Sequence, residues 1–327
     1  MNPLTYEIVA ELASGEYCSG SNIAARLGVS RTAVWKHIQM LASYGVDVYS
    51  LPGKGYKLAA PFQLLDNTYI SENLDTVASD FFSSIHLLAS VDSTNAYLRS
   101  LARNGEQNGS VVFAEFQSAG KGRRGRQWAS PFARNLYCSV LWRYTNVQHG
   151  IGGLSLAIGV AVVTALEQIG IVDVQLKWPN DLLYNGRKLA GILLEMSGDP
   201  NGEGYVIIGV GINVNMSAVA KEVDISQPWV DLVEISGQKI CRNELSIALL
   251  QQISSIISQY QQSGLEKIVT RWNSLDAMYG RRIQISGTTH DCSGVSKGID
   301  ESGALLLLQG EKVCRIHSGE VSLRLAD

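Results

Sequence analysis

The sequence lacks paired cysteines. Its five cysteines, Cys18, Cys138, Cys241, Cys292 and Cys314, are scattered and odd in number, with no C-x-x-C spacing. This excludes a disulfide scaffold or zinc framework and fits a reducing compartment. Residues Met1–Glu7 contain no basic segment leading into an apolar run. No secretory signal is therefore expected, and the cytoplasm is the expected location. No charge of one sign dominates the 327 residues, whose formal net charge is −3. A surface for nucleic acid must therefore be local. Long apolar runs are also missing. The uncharged stretch Gly150–Leu166 is interrupted by four glycines, Ser155 and Thr164. It falls short of the roughly 20 apolar residues that a membrane span needs, so it is expected to be a buried core helix. No membrane partner is expected. Neither internal repeats nor low-complexity tracts occur. The length allows two or three domains with a sizeable core.

Residues 4–60 read as a unit of their own. Leu4, Ile8 and Leu12 mark one helical face, which Gly15 can end. Ser21 can cap a second helix with Ile23 and Leu27 inward, and Gly28 to Ser30 makes a tight turn. Ser30 caps a third helix, whose buried stripe is Val34, Ile38 and Leu41. Two strands, Val46–Leu51 and Gly55–Leu58, follow, joined through Pro52, Gly53 and Lys54. Helices, a turn and a hairpin in this order are the pattern of a winged helix-turn-helix. From Ser21 to Ala60 there are five Lys or Arg against one acid, Asp47. The exposed face of the third helix presents Ser30, Arg31, Thr32, Trp35, Lys36 and Gln39, which suits reading of the major groove. Lys54 at the wing tip suits a phosphate contact. Trp35 can reach a thymine methyl, stack, or pack under the wing. A helical domain used for protein contacts is the plainer alternative, but turn, wing and local charge agree on DNA.

A boundary is expected near Ala60–Asn67. Beyond it lies the stretch around which the chain is organised, Gln117–Trp128. Gly120-Lys121-Gly122-Arg123-Arg124-Gly125-Arg126 places three glycines and four cations in seven residues, between two apolar runs. Glycine lets backbone N–H groups approach a ligand closely, and cations beside it neutralise phosphate or carboxylate. The spacing matches G-x-G-x-x-G, but three cations fill the variable positions and no helical pattern follows, which argues against a dinucleotide fold. An anion-holding loop is expected, with a basic surface loop as the plainer alternative. Ser93, Thr94 and Asn95 open a helix that runs to about Arg103. They are good caps, or else hydroxyls at a helix N-terminus that grip a small polar ligand.

Val111–Phe116, Asn135–Trp142, Val172–Lys177 and Gly204–Asn213 read as strands, and Asn185-Gly186 as a hairpin turn. The resulting mixed sheet presents Lys177, Asn180, Asp181, Lys188 and Asn213 at strand ends. Met216–Trp229 has no regular period and reads as a lid-like loop. Asn243–Trp272 is expected to be helical. From about Leu275 short alternating strands split by glycine turns predict a small β-barrel. The fold class is α+β: a winged helix-turn-helix over 1–62, a central mixed-sheet domain with helices over 66–274, and a small SH3-like barrel over 275–327.

Four motifs in this order, Gly120–Gly125, Lys177-Trp178-Pro179-Asn180-Asp181, Gly186–Gly191 and Gly209–Asn213, together with the winged helix, resemble the bifunctional biotin–protein ligases that also repress the biotin operon. The resemblance runs nearly end to end. It implies an enzyme that joins biotin to ATP as biotinyl-5′-AMP, with Mg²⁺. Biotin then passes to a lysine of the biotin carboxyl carrier protein of acetyl-CoA carboxylase. It implies biotin contacts from Ser93, Thr94, Asn95, Gln117, Lys121, Gly122, Arg123 and Lys188, with Arg123 and Lys188 catalytic. Nucleotide or adenylate contacts fall to Arg124, Arg126, Trp128, Asn180, Asp181, Asn213, Val219, Trp229 and Arg324, with Asp181 also a candidate magnesium ligand. It further implies a homodimer, formed when the adenylate is bound, on a palindromic operator. The family's loop usually begins G-R-G, whereas this chain has Lys121 at the second position, which keeps the charge but not the planar fork. A lipoate–protein ligase, running the same adenylate chemistry on another acid, is the alternative enzyme. A biotin-sensing repressor without ligase activity is the alternative outside catalysis.

Overall fold

The computed structural model describes residues 1–145, 150–198, 203–217, 219, 225, 227–287, 291–317 and 322–325. The N-terminal unit consists of α1 (Pro3–Leu12), α2 (Gly20–Leu27), α3 (Arg31–Leu41) and the hairpin β1 (Val48–Leu51) and β2 (Gly55–Leu58). Ser30 caps α3 as expected, its hydroxyl accepting from Ala33 N at 3.1 Å. Ser21 does not cap α2; the helix starts two residues earlier than that cap would give, at Gly20, and Ser19 accepts from Asn22 N. Gly28 ends α2 in the left-handed region at φ 66°, which frees α3 to turn across α2. Ile8, Leu12, Ile23, Val34, Ile38 and Leu41 form the core between the three helices.

The central domain runs α4 (Asn67–Glu72), α5 (Thr76–Phe81), β3 (Ser84–Leu88), α6 (Thr94–Arg103), β4 (Ser110–Ala114), β5 (Leu136–Thr145), α7 (Leu154–Gln168), β6 (Gln175–Lys177), β7 (Asp181–Tyr184), β8 (Arg187–Gly198), β9 (Glu203–Ile212), α8 (Leu232–Ser236), α9 (Arg242–Ser263) and α10 (Val269–Ser274). Its seven strands are ordered β3-β4-β5-β9-β8-β7-β6. Only β3 and β4 are parallel, so the sheet is mixed as expected. The apolar run at 150–166 becomes α7, buried along most of its length in the main core with α9. No helix among the described residues is long and apolar enough to cross a membrane. Asn185 and Gly186 carry φ of 49° and 75°, both positive as a tight two-residue hairpin requires. Two expectations shorten. The strand expected over 172–177 forms only at Gln175–Lys177, and the helical region over 243–272 breaks at Gly264 into α9 and α10.

The C-terminal domain contains β10 (Arg282–Ser286), β11 (Cys292–Ile299), β12 (Leu305–Gln309), β13 (Lys312–Ile316) and β14 (Ser322–Leu325). They form an antiparallel sheet ordered β13-β12-β11-β10-β14. Among the described residues no pairing of β13 with β14 closes it into a barrel. Trp178 Nε1 donates to Gly303 O at 3.2 Å, fastening this domain to the turn between β6 and β7.

The winged unit is also fastened to the core. Phe132 and Ala133, just after the glycine–cation loop, belong to its hydrophobic cluster. Tyr44 meets Phe116 edge-on with centroids 5.5 Å apart, and Phe62 meets Phe132 at 5.6 Å. Arg134 donates to Ala60 O and Pro61 O. The next residues of the linker are held by a buried ion pair, Arg242 with Glu115 at 2.7 Å. Glu115 accepts from Leu65 N, and Arg242 donates to Gln63 O. A buried pair in this setting satisfies backbone groups at a domain junction as well as its own charges.

Candidate active site and DNA-binding face

A cleft of about 1110 Å³ opens over the sheet at the ends of β5, β8 and β9, bounded by the glycine–cation loop and by β14. Its inner floor is neutral and buried. Ser93, Thr94 and Asn95 are 2, 4 and 3 % exposed. Capping does not explain them, because Ser93 makes no side-chain cap bond to α6. Thr94 N and Oγ1 both donate to Gln117 Oε1, at 2.9 and 3.1 Å. Gln117 Nε2 donates to Ser130 Oγ. Ser139, on β5, lies 2.8 Å from Thr94 Oγ1 and donates to Asn95 Oδ1 at 2.6 Å. Asn95 Nδ2 donates to Glu195 Oε2 at 2.9 Å. Sequence reasoning missed Ser139, Ser130 and Glu195.

The sheet beneath is stripped of side chains where these groups lie on it. A Cβ on Gly209 would stand 2.3 Å from Asn95 Oδ1, and one on Gly211 would stand 2.6 Å from the Trp128 ring. These two glycines of β9 are therefore seats, one for an amide and one for an indole.

The loop itself is a small closed hairpin. Gly122 N donates to Arg126 O, Trp128 N to Gly120 O, and Lys121 bridges Gln127. A 3-10 turn over Arg123–Gly125 caps it, with Arg124 in the left-handed region at φ 59°. Gly120 is compulsory, since a Cβ there would lie 2.5 Å from Trp128 O. Lys121, Arg124 and Arg126 are exposed along the cleft and Arg123 is half-buried.

The outer half of the cleft is cationic around one carboxylate. Lys188 Nζ pairs with Asp181 Oδ1 at 2.7 Å and stands 5.5 Å from the Trp128 ring centroid. Arg123 donates to Asn180 Oδ1 at 3.1 Å, and Asn180 Nδ2 donates to Ile192 O. Burial pulls the Arg123 pKa down, opposed by Asp181, with Arg124 and Arg126 adding to the fall. Lys177 shifts down in the same way, by burial first and by Lys188, Arg324 and Arg126, again opposed by Asp181. Several cations held this close without matching anions create a strongly positive potential, which a polyphosphate relieves. Lys177, which the sequence places only at a strand end, belongs to this set. Arg324 reaches the same wall from β14.

The remaining expected residues divide. Trp229 lines the cleft and forms a backbone bridge with Lys188. Asn213 lines it too, but its Nδ2 donates to Lys188 O and Val230 O, so it braces the Lys188 backbone. Val219 is half-buried and does not line the cleft. Of the lid expected over Met216–Trp229, residues 218, 220–224 and 226 lie outside the described residues.

On the winged unit, Ser30, Arg31, Thr32, Trp35, Lys36, Gln39 and Lys54 are all exposed. Trp35, 52 % exposed, is not packed under the wing. Lys54 and Lys57 both stand within 6 Å of the Tyr17 ring, at 5.8 and 5.5 Å, so the wing's cations are held in one place.

Comparison with known proteins agrees with this geometry. Residues 87–213 match the biotin/lipoate A/B protein ligase family, residues 5–57 an HTH domain and residues 279–324 the biotin protein ligase C-terminal domain. The bifunctional ligase/repressor BirA of Escherichia coli is 41 % identical over 327 residues, covering 100 % of this chain and 99 % of that protein. BirA of Bacillus subtilis is 32 % identical, covering 95 % of each chain. The biotin protein ligase of Aquifex aeolicus, solved with biotin and ATP, superposes with a TM-score of 0.66 at 31 % identity, over 75 % of this chain and 100 % of that one. With a helix-turn-helix domain ahead of the ligase domain and matches spanning its whole length, the chain belongs to the bifunctional biotin–protein ligase/repressor family.

Proposed function

We propose that the cleft activates biotin with ATP as biotinyl-5′-AMP and passes it to a lysine of a biotin carboxyl carrier protein. The observation that carries this reading is the polarity of the cleft. One end is a buried, neutral hydrogen-bonding floor and the other is cationic. A molecule with a polar ring and a carboxylate tail fits that order, with its carboxylate turned toward a nucleotide.

Adenylation brings a carboxylate oxygen against the α-phosphorus of ATP. The new O–P bond forms as the bond to pyrophosphate breaks. Two anions must approach, so the barrier is largely electrostatic. Lys188 and Arg123 screen the carboxylate and the charge gathering on the transferring phosphorus. Lys121, Arg124, Arg126, Lys177 and Arg324 hold the polyphosphate. Asn180 orients Arg123, and Trp128 and Trp229 offer apolar faces to the base and the biotin chain. In the second step the carrier lysine's amine attacks the adenylate carbonyl and AMP leaves. Asp181, the only carboxylate among the described residues lining the cleft, would hold a magnesium ion that arrives with the triphosphate. One carboxylate plus substrate phosphates is a usual arrangement for that ion, which supplies further screening charge.

The winged unit binds DNA, and one such unit per chain reads one half-site. A homodimer formed by the adenylate-bound protein would span a palindromic operator. The docking of this unit against Phe116 and Phe132, on both sides of the glycine–cation loop, supports a link between ligand and DNA.

ATP–pyrophosphate exchange with biotin, lipoate and octanoate tested separately decides the enzyme question. Exchange with biotin alone is expected. Exchange with lipoate or octanoate would move the chain to the sister chemistry. No exchange from a folded sample would leave a sensor–repressor. A gel shift of operator DNA that tightens with biotin plus ATP is expected for the second role.

A further inference from the structure

We infer that Glu195, held by Arg99, is a positioning residue that sets the hydrogen-bond polarity of the cleft floor and so selects an acid whose ring end carries N–H groups. The inference rests on the reading that the acid's ring end sits on this floor.

The argument is one of proton bookkeeping. An ionised carboxylate only accepts hydrogen bonds. Glu195 Oε1 is paired with Arg99 Nη1 at 3.0 Å, and Oε2 faces the Asn95 side chain at 2.9 Å. The Asn95 amide must therefore present Nδ2 to Glu195 and Oδ1 to Ser139. Ser139 has a single proton and donates it to that oxygen, 2.6 Å away. At the other end, Gln117 Nε2 donates to Ser130 Oγ at 3.0 Å, and Ser130 passes its own proton to Trp128 O at 2.9 Å. Gln117 Oε1 is then an acceptor, already engaged by Thr94 N at 2.9 Å. The Thr94 proton goes to Gln117 Oε1, 3.1 Å away. Every hydroxyl proton of Thr94 and Ser139 is thus spent inside the protein. What these hydroxyls have left for a ligand is lone pairs.

Such a floor matches a ring bearing N–H donors. An acid with no donor there would bury unsatisfied acceptors, the kind of mismatch that sites use to reject analogues. Glu195 acts two bonds away from the ligand, through Asn95 and Ser139. Its place on β8 suits that role: it shares a sheet face with Gly191 and Leu193, and Leu193 is paired with Gly209, on which Asn95 lies.

The test uses the full-length enzyme in the exchange assay, with biotin and ATP titrated separately. Glu195→Leu frees the Asn95 amide to turn over. The KM for biotin should rise about tenfold or more, while kcat and the KM for ATP stay within about twofold. Asn95→Asp sets two carboxylates against each other and should also lose biotin. Combining Asn95→Asp with Glu195→Gln restores a donor facing an acceptor between positions 95 and 195, though not the 3.4 Å bond from Asn95 Nδ2 to Leu193 O, and should recover much of the biotin affinity that Asn95→Asp loses. Thermal unfolding of each variant separates loss of fold from loss of polarity. A double variant no better than Asn95→Asp, or a Glu195→Leu enzyme with an unchanged biotin KM, would overturn the inference. Thr94→Ala is the control for the site. If it too leaves the biotin KM unchanged, the ring end does not lie on this floor and both readings fall. If it raises the KM while Glu195→Leu does not, only the role of Glu195 falls.

Discussion

Two glycines facing one indole give the sharpest quantitative expectation. A Cβ on Gly211 would lie 2.6 Å from Trp128 Cε2 and 2.7 Å from its Nε1. A Cβ on Gly191, beside it on β8, would lie 3.2 Å from Cζ3 of the same ring. Relief to an ordinary contact asks the ring to recede by most of an ångström in the first case and by a few tenths in the second. Trp128 cannot recede freely, because it forms the foot of the loop, with its N–H on Gly120 O at 2.8 Å and Lys188 Nζ standing by its ring. Overpacking of this kind costs about 1–3 kcal/mol. Since about 1.4 kcal/mol is a factor of ten, Gly211→Ala should lower kcat/KM for exchange by roughly 10- to 100-fold. Among the described residues Trp128 Nε1 has no hydrogen-bond partner, so the loss is one of shape. Gly191→Ala should cost about threefold or less by the same reasoning. Exchange rates at saturating and limiting biotin and ATP, with unfolding curves for both variants, make the comparison. Equal damage from the two substitutions, or wild-type activity in Gly211→Ala, would refute the claim that this ring position matters.

Three further outcomes follow from other parts of the molecule. Lys188→Met keeps the aliphatic stem over Trp128 and removes the charge. It should lower the adenylation rate by about 10²–10³-fold, the usual worth of one preorganised charge-stabilising group, with far-UV circular dichroism unchanged. Asp276 is buried, its Oδ2 has no hydrogen-bond partner among the described residues, and burial pushes its pKa from 3.8 up to about 6, opposed by bonds from Met278 N and the Ser296 side chain. The folded state then binds the proton more tightly than the unfolded one. The stability it contributes is full below about pH 4 and lost as pH rises through about 6, at most about 3 kcal/mol. Asp276→Asn should therefore gain on wild type between pH 4 and 7 in denaturation curves, and a constant difference across that range would count against it. On DNA, Lys54→Ala should weaken binding to all sequences alike and lower the salt slope by about 1, whereas Arg31→Ala should cost about 1–3 kcal/mol at one base position.

The parts of this architecture that could be read in the sequence are those whose chemistry is local. The Asn185-Gly186 turn, the Ser30 cap and the crowded loop at 120–126 each declare themselves within a few residues. The helices α4, α5 and α8 escaped because each is only five or six residues long, too short for a period to show. The available signal was the aspartate before each one: Asp66, Asp75 and Asp231 all accept from the backbone N–H three residues on. Ser139 and Glu195 could not be read in this way. Each sits inside a strand, and only the register of β5, β9 and β8 brings them to Asn95. Lys177 and Lys188 were visible as charged residues at strand ends. That they surround one carboxylate is a property of the β6–β7 and β7–β8 turns together.

The docking of the N-terminal unit has a consequence for how this protein can be cut and recombined. Phe62, Phe116 and Phe132 meet rings or apolar surface from both sides of the junction, and Arg134 and Arg242 donate to linker carbonyls at 60, 61 and 63. Truncation before residue 66 would leave a wet aromatic patch and take the linker carbonyls away from Arg134 and Arg242, although Arg242 would keep Glu115 and Asn135 O. A graft of another family member's DNA-binding unit would need its own linker and matching rings. The modules share one seam, and a working chimera has to be tailored there first.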